Sequence, residues 1–136
     1  MATDRTGPRI AKQVIVMRKD LNMRKGKMIA QGAHASLRVI LQAGAANAER
    51  TSYTIQMTEP MAAWMTGRFM KIAVSVDSEA ALDAIVEKAR AANVPVALIT
   101  DAGTTEFHGV PTKTCCAVGP AWAEEVDAIT GGLPLL

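Results

Sequence analysis

A single-domain α/β fold, with a mixed four-stranded β-sheet and helices packed on both faces, is predicted by three features of this chain. At 136 residues with 49% hydrophobic side chains, it is long enough to bury one real core and leaves little room for a second. Short apolar runs suited to strands alternate with stretches whose apolar residues recur at helical spacing. The segments follow the order strand, helix, short helix, strand, helix, strand, strand, helix, which implies a mixed sheet covered on both sides.

Residues 1–10 are polar, contain Gly7-Pro8, and are expected to form a disordered or frayed tail ahead of a domain over 11–136. The first strand covers about 12–18, around the apolar run Val14-Ile15-Val16-Met17. A Lys/Gly-rich connection over 19–26 leads into a helix over about 27–46. There Ile29, Ala33, Leu37, Ile40 and Leu41 recur at helical spacing and are expected to face a core. Residues 47–58 form a polar connection, and Glu59-Pro60 opens a short helix through Met65, because proline suits a first helical turn. Trp64 and Met65 should cover an edge of the core.

A second strand follows at 69–76. Asp77 or Ser78 then caps a helix to about 92, in which Leu82, Ile85, Val86 and Ala89 sit at i, i+3, i+4 and i+7. Asn93-Val94-Pro95 turns into the continuously apolar strand Val96-Ala97-Leu98-Ile99-Thr100, suited to cover on both faces. The strand Thr114-Cys115-Cys116-Ala117-Val118 leads through Gly119-Pro120 into a last helix from about 121 to 130, stopped by Gly131-Gly132.

Composition excludes several classes of function. Aromatics are 4% of the chain, too few for base-stacking recognition of single strands. Two adjacent cysteines, Cys115 and Cys116, and two histidines offer no disulfide framework and no zinc-ligand spacing, so no metal is expected. The first residues lack the apolar stretch of a signal peptide, and no apolar run approaches the roughly 18 residues of a membrane span, so a cytoplasmic protein is expected. The net charge of +2 hides an asymmetry: residues 1–50 hold ten Lys and Arg against three acids, and residues 51–136 hold five against ten. A basic face meeting a polyanion fits that distribution, as does simple scattering of charge in three dimensions.

The stretch Asn22-Met23-Arg24-Lys25-Gly26-Lys27-Met28-Ile29-Ala30-Gln31 puts cations and a glycine where a strand hands over to a helix. First-turn N–H groups lack intrahelical partners, so they and the adjacent cations would attract a phosphate or a developing oxyanion. Asp101-Ala102-Gly103-Thr104-Thr105-Glu106 follows another strand. Both polar segments lie at carboxyl ends of strands, where active-site loops of α/β sheets gather, and they read as two halves of one site.

These residues resemble the peptidyl-tRNA hydrolase 2 family over about 12–136. One signature is carried by Lys12-Gln13-Val14-Ile15-Val16, Arg18, Asp20-Leu21, Lys25-Gly26-Lys27, Ala30-Gln31 and His34-Ala35. A second is carried by Asp101-Ala102-Gly103, Thr105-Glu106, Thr114, Ala117, Gly119-Pro120, Val126-Asp127, Ile129-Thr130-Gly131, Leu133 and Leu135-Leu136. The resemblance implies the peptidyl-tRNA hydrolase 2 fold and hydrolysis of the ester joining a peptide to the 3′ ribose of tRNA, with peptidyl-tRNA as substrate. It also implies no metal or organic cofactor, and a homodimer. The family's active-site positions fall on Lys25, Lys27, Gln31, Asp101, Thr105 and Thr114. Three departures stand out: Arg24 replaces a small residue, the stretch from Thr105 to Thr114 is one residue longer than usual, and Gly32 replaces a larger side chain. The longer stretch makes Thr112 a competitor for the second threonine role, although counting back from Gly119-Pro120 favours Thr114.

Ester hydrolysis needs an oriented water and a positive or hydrogen-bonding group where the carbonyl oxygen becomes negative. Asp101 suits the first task, as base or water-orienter. Lys25, with Lys27 as second choice, suits the second and would hold Asp101 ionised. Thr105 and Thr114 would fix the water or substrate, and Arg18, Lys19, Arg24, Lys25 and Lys27 would meet tRNA phosphates. Each position has a plainer reading: Asp101-Ala102-Gly103 as a turn, the threonines as caps or sheet residues, and Gln31 as a structural hydrogen bonder. His34 is expected to pack and bond locally, His108 to be exposed, both cysteines to be buried, and Met23 with Met28 to fill core. The rival function is a non-catalytic tRNA- or protein-binding module of the same fold. A third is an esterase or amidase acting on a small acylated metabolite.

Overall fold

The computed structural model of the chain describes residues 9–104 and 106–136. Residues 1–8 of the expected tail, and Thr105, lie outside the described residues. The elements are β1 (Ala11–Arg18), α1 (Lys25–Leu41), β2 (Gly44–Ala46), β3 (Tyr53–Ile55), α2 (Glu59–Thr66), β4 (Lys71–Val76), α3 (Glu79–Ala91), β5 (Val96–Asp101), β6 (Thr112–Trp122) and α4 (Ala123–Thr130). The main sheet has the order β4-β1-β6-β5, with β1 parallel to β4 and β6 antiparallel to both β1 and β5. Strands β4, β1 and β5 therefore run the same way, and their carboxyl ends share one edge of the sheet.

Side chains alternate across the pleat, so neighbouring residues serve different cores. Val14, Val16, Cys116 and Val118 pack with Leu82, Val86 and Ala89 of α3 and Val126 and Ile129 of α4. Met17, Ala97, Ile99, Cys115 and Ala117 face the other way, against Ala35, Val39 and Ile40 of α1 and Met61 and Trp64 of α2. That is the expected sheet with helices on both faces.

Local caps follow the sequence. Ser78 accepts from the Ala81 N–H at 3.0 Å to start α3, and Thr58 accepts from the Met61 N–H at 3.3 Å to start α2. Gly119 sits at φ +91° where a Cβ would come within 2.5 Å of the Lys12 carbonyl oxygen, so this crossing of β6 over β1 requires glycine. The buried Gln13 side chain donates to the Gly119 carbonyl at 3.1 Å and accepts from the Ser36 hydroxyl at 2.6 Å, tying α1 to the sheet.

Five expectations are corrected. Helix α1 starts at Lys25, so Lys25 and Gly26 belong to its first turn together with Lys27, and not to the connection before it. It ends at Leu41, because residues 44–46 pair with 53–55 in a small antiparallel β2–β3 ladder within the stretch read as helix end and polar connection. The stripe Ile29, Ala33 and Leu37 does not face the core. The buried face of α1 is Gln31, Gly32, Ala35, Val39 and Ile40, since small residues and a paired glutamine let the helix lie close on the sheet. Met65 is exposed, so of that pair only Trp64 covers the core edge, beside Met61. Finally, β6 continues past Val118 through Trp122, and α4 begins only at Ala123.

Candidate active site

The first turn of α1 meets the carboxyl end of β5. Asp101 is the meeting point. Its Oδ1 accepts from Lys27 Nζ at 2.9 Å and from Gln31 Nε2 at 3.3 Å, and its Oδ2 accepts from the Gly103 N–H at 2.8 Å. Lys27 and Gln31 are one helical turn apart, so both reach the same carboxylate from one face of α1. The Asp101-Ala102-Gly103 turn expected from sequence is thus also what fixes the carboxylate. Gly103 lies at φ +85°, and a Cβ there would stand 2.4 Å from the Val110 carbonyl oxygen, so the loop can fold back only with glycine.

Behind this ion pair the polar chain continues inward. Gln31 is 3% exposed, and its Oε1 accepts from the Thr114 hydroxyl at 2.5 Å; Thr114, on β6, is fully buried. The Gln31 backbone carbonyl accepts from the Cys115 thiol at 3.3 Å. Since both ends of the Gln31 amide are used, its orientation is fixed, and with it the side on which the amide N–H meets Asp101.

The Lys27 ammonium, donating directly to Asp101, holds that carboxyl below its ordinary range; the Gly103 N–H and Gln31 add to the effect, and partial burial opposes it. Burial pushes the Cys115 thiol up to about 11 and Cys116 higher still, so neither is a nucleophile. They lie on opposite faces of β6, and only Cys115 is near the polar chain.

The other residues singled out from sequence are distributed differently. Lys25 opens α1 exposed, two residues from Lys27, and the ion pair to Asp101 belongs to Lys27. Arg24, the N-cap residue, makes no side-chain cap; it projects into solvent with its side chain 90% exposed and lies 3.7 Å from Glu106. Lys19 is exposed. Arg18 is buried and its guanidinium is engaged internally, with Asp20 at 3.1 and 2.7 Å and the Lys113 carbonyl at 3.0 Å. Thr112 donates to the Val110 carbonyl at 2.8 Å, at the loop margin, whereas Thr114 sits in the chain to Asp101. Thr105 lies outside the described residues.

His34, expected to bond locally, is instead exposed and lines a cleft with Gln31, Arg38 and Gln42 on one wall and residues 98–102 on the other. His108 is exposed and Met23 buried, as read from sequence. Among the described residues, no group of three or more His, Cys, Asp or Glu is arranged to hold a metal ion, and no helix is long and apolar enough to cross a membrane.

The geometry can be set beside known proteins. The family model described as Peptidyl-tRNA hydrolase PTH2 matches residues 11–136. A peptidyl-tRNA hydrolase of Methanocaldococcus jannaschii is 39% identical over 92% of this chain and 99% of its own length. One from Sulfurisphaera tokodaii is 41% identical, over 92% and 98%. A probable peptidyl-tRNA hydrolase 2 of Drosophila melanogaster is 39% identical over 92% of this chain, which spans 61% of that protein. Among solved structures, an Agrobacterium tumefaciens protein of unknown function shares the fold with a TM-score of 0.56 at 12% identity, covering 93% of this chain and 97% of that one.

Proposed function

The chain belongs to the peptidyl-tRNA hydrolase PTH2 family, and from that membership and its polar cluster we propose that it hydrolyses the ester between a peptide and the 3′ ribose of tRNA. The observation that carries the reading is the Thr114–Gln31–Asp101–Lys27 chain at the mouth of a cleft. A carboxylate offers about four acceptor positions, and three on Asp101 are filled by Lys27, Gln31 and Gly103; one remains for a water.

The Asp101 carboxyl is lowered by the Lys27 ammonium and so stays ionised at neutral pH, where a carboxylate is a weak base; its contribution is to aim the water and to fix Lys27. Attack on the ester carbonyl makes a tetrahedral oxyanion, which the Lys27 ammonium stabilises. Collapse breaks the bond to the 3′ oxygen of the ribose, which takes up the proton that the attacking water gives away; the products are a free peptide acid and tRNA. Thr105 remains a proposed contact to water or substrate.

Lys19, Arg24 and Lys25 supply the exposed cations for backbone phosphates near the acceptor end, a contact that reads charge and not sequence. We place the reaction in the cytoplasm, with translation. A homodimer is supported by the second apolar face of α1. Ile29 and Leu37 are 73% and 57% exposed, and they flank apolar clefts of about 350 and 480 Å³ that Leu136, Met65 and Phe69 help to line. A second copy of the chain is the proposed cover. Leu37→Asp should yield a monomer by sedimentation if so, and an unchanged species would reject that face.

The test of function is release of N-acetylaminoacyl groups from charged tRNA in metal-free buffer, by wild type, Lys27→Met and Asp101→Asn. Turnover lost in both variants supports the hydrolase and its site. Salt-sensitive tRNA binding by wild type without release would instead favour the binding module.

A further inference from the structure

The two outer strands of the sheet are treated differently. At the β4 edge the C-terminal residues act as a short extra strand: Val74 bridges Leu135, the Ser75 N–H donates to the Pro134 carbonyl at 2.9 Å, and the Leu136 N–H donates to the Ala73 carbonyl at 3.1 Å. At the opposite edge, β5 pairs only with β6, and among the described residues no backbone segment covers its outer side. An open edge presents a row of N–H and C=O groups that another strand can pair with, and proteins usually cover it.

This open edge is not a plain surface. It forms one wall of a cleft of about 460 Å³ whose other wall is the α1 face bearing Gln31, His34, Arg38 and Gln42. The cleft begins at Asp101 and Gln31, members of the proposed catalytic cluster, and runs back along β5. Pairing between β5 and β6 shifts register between Ile99 and Thr100, an irregularity of the kind that re-aims residues at sheet edges beside active sites.

Resting on the hydrolase reading, we infer that this cleft is the peptide subsite, and that the peptidyl part of the substrate adds to the open edge of β5 as a further strand. The direction follows from the chemistry. The scissile carbonyl is the peptide's C-terminal carbonyl and must lie at Asp101, the carboxyl end of β5. The peptide therefore runs parallel to β5, with its N-terminus trailing away past Arg38 and Gln42.

The length follows from the walls. Residues 98–102 span about 13 Å at roughly 3.3 Å per residue, and Gln31 to Gln42 span about 16 Å of helix, which is room for about four or five extended residues. Pairing through main-chain hydrogen bonds suits a substrate whose side chains differ from one molecule to the next, because the backbone is the part all peptides share. The exposed cations Lys19, Arg24 and Lys25 lie toward the start of α1, so tRNA and peptide leave the cluster by different sides.

The test uses the unaltered protein, with tRNAs carrying N-acetylated peptides of one to seven residues of mixed sequence, and a matching series in which one backbone amide is N-methylated. KM should fall by roughly tenfold as the peptide grows from one residue to four or five and then level off, since each net backbone hydrogen bond is worth about two- to tenfold. N-methylation at one of the first few residues should cancel part of that gain, and methylation beyond the fifth should cost nothing. Arg38→Ala, toward the far end of the cleft, should raise KM more for long substrates than for the single-residue substrate. Hydrolysis of every substrate with no dependence on length or methylation would overturn the subsite and leave the hydrolase standing. Equal losses for short and long substrates in Arg38→Ala would assign the cleft to tRNA instead. Absence of hydrolysis throughout would remove both.

Discussion

Lys25 and Lys27 lie two residues apart in the same helical turn, yet they belong to different regions of the molecule. Lys27 points inward to a carboxylate that is itself tied, through Gln31, to a hydroxyl with no solvent exposure. Lys25 stands in solvent with Arg24, at a helix start that no side chain caps. The inner region is a fixed hydrogen-bonded chain in which each group orients the next, and loss of one member leaves another unpaired. The outer region is a set of mobile, screened charges that act by summing. Composition records the two lysines identically; only the 100° between successive helical positions, and the strand that α1 crosses, make one a partner and the other a rim charge.

The comparison breaks most visibly at Asp101 and Lys27. Asp101→Asn keeps the shape and removes the charge that pairs with Lys27 and, on the proposed mechanism, aligns the water; Lys27→Met removes the cation proposed to meet the developing oxyanion. Loss of one such stabilising donor typically costs turnover about a hundred- to a thousandfold, so both variants should fall in that range with unchanged circular dichroism. A loss below tenfold in either would place the reacting carbonyl elsewhere.

The pH profile sharpens the same point. A carboxyl whose folded value is depressed stays ionised above that value, and whatever depends on its charge is lost as pH falls through it, not as pH rises. The acid limb of kcat/KM should therefore lie below the ordinary aspartate range of about 3.9. In Lys27→Met, whose carboxylate has lost its main stabiliser and remains partly buried, the limb should move up. An acid limb at the same pH in both proteins would mean that another group controls it.

Thr114→Val comes next in size. The swap preserves volume and leaves Gln31 Oε1 without its buried donor, which costs about 1–3 kcal/mol of stability in denaturant unfolding. Turnover should fall by roughly tenfold, because the amide that meets Asp101 is no longer held in one orientation. Thr112→Val, at the loop margin, should leave both quantities nearly unchanged.

How much of this was legible in the sequence differs by region for physical reasons. The sheet and the α3 face were readable because Leu82, Val86 and Ala89 recur at a helical period, and β1, β5 and β6 are short apolar runs between turn residues. The face of α1 was not readable, because that helix is apolar on two sides. Periodicity finds the side with the larger residues, Ile29 and Leu37, whereas the sheet takes the side with Gly32 and Ala35, where the backbone can approach. The β2–β3 ladder was hidden since Gly44, Ala45 and Ala46 carry no strand signal; the pairing is local and the Tyr53 hydroxyl, bonded to the Leu41 carbonyl, helps close it. At the site, residue types at the ends of two strands were enough to bring Asp101 and the lysine pair together. Which lysine touches Asp101 depends on where α1 begins, and helix starts are the least certain part of a sequence reading. Gln31 was readable as a hydrogen bonder, but its place between Thr114 and Asp101 is a long-range fact. The open edge of β5 had no sequence signal of its own, because a strand's position in the sheet order is set by topology.

The smallest expected effect is at Lys25, and it tests the outer region on its own terms. If the rim acts by summing screened charges, Lys25→Ala should raise KM a few-fold at low salt and leave kcat nearly intact, since the residue is apart from the reacting carbonyl. The salt dependence should also change: each phosphate contact contributes nearly one to the slope of log affinity against log salt, so the variant's slope should be shallower by about one. At high ionic strength the wild type and the variant should then converge, because what the lysine added has already been screened away. Arg24→Ala should behave alike, and the double variant should show the two changes added, as expected for exposed charges that share no buried partner. A fall in kcat of a hundredfold in Lys25→Ala, persisting at high salt, would erase the distinction between the two lysines: it would mean that α1 turns Lys25 toward the ester when the substrate binds.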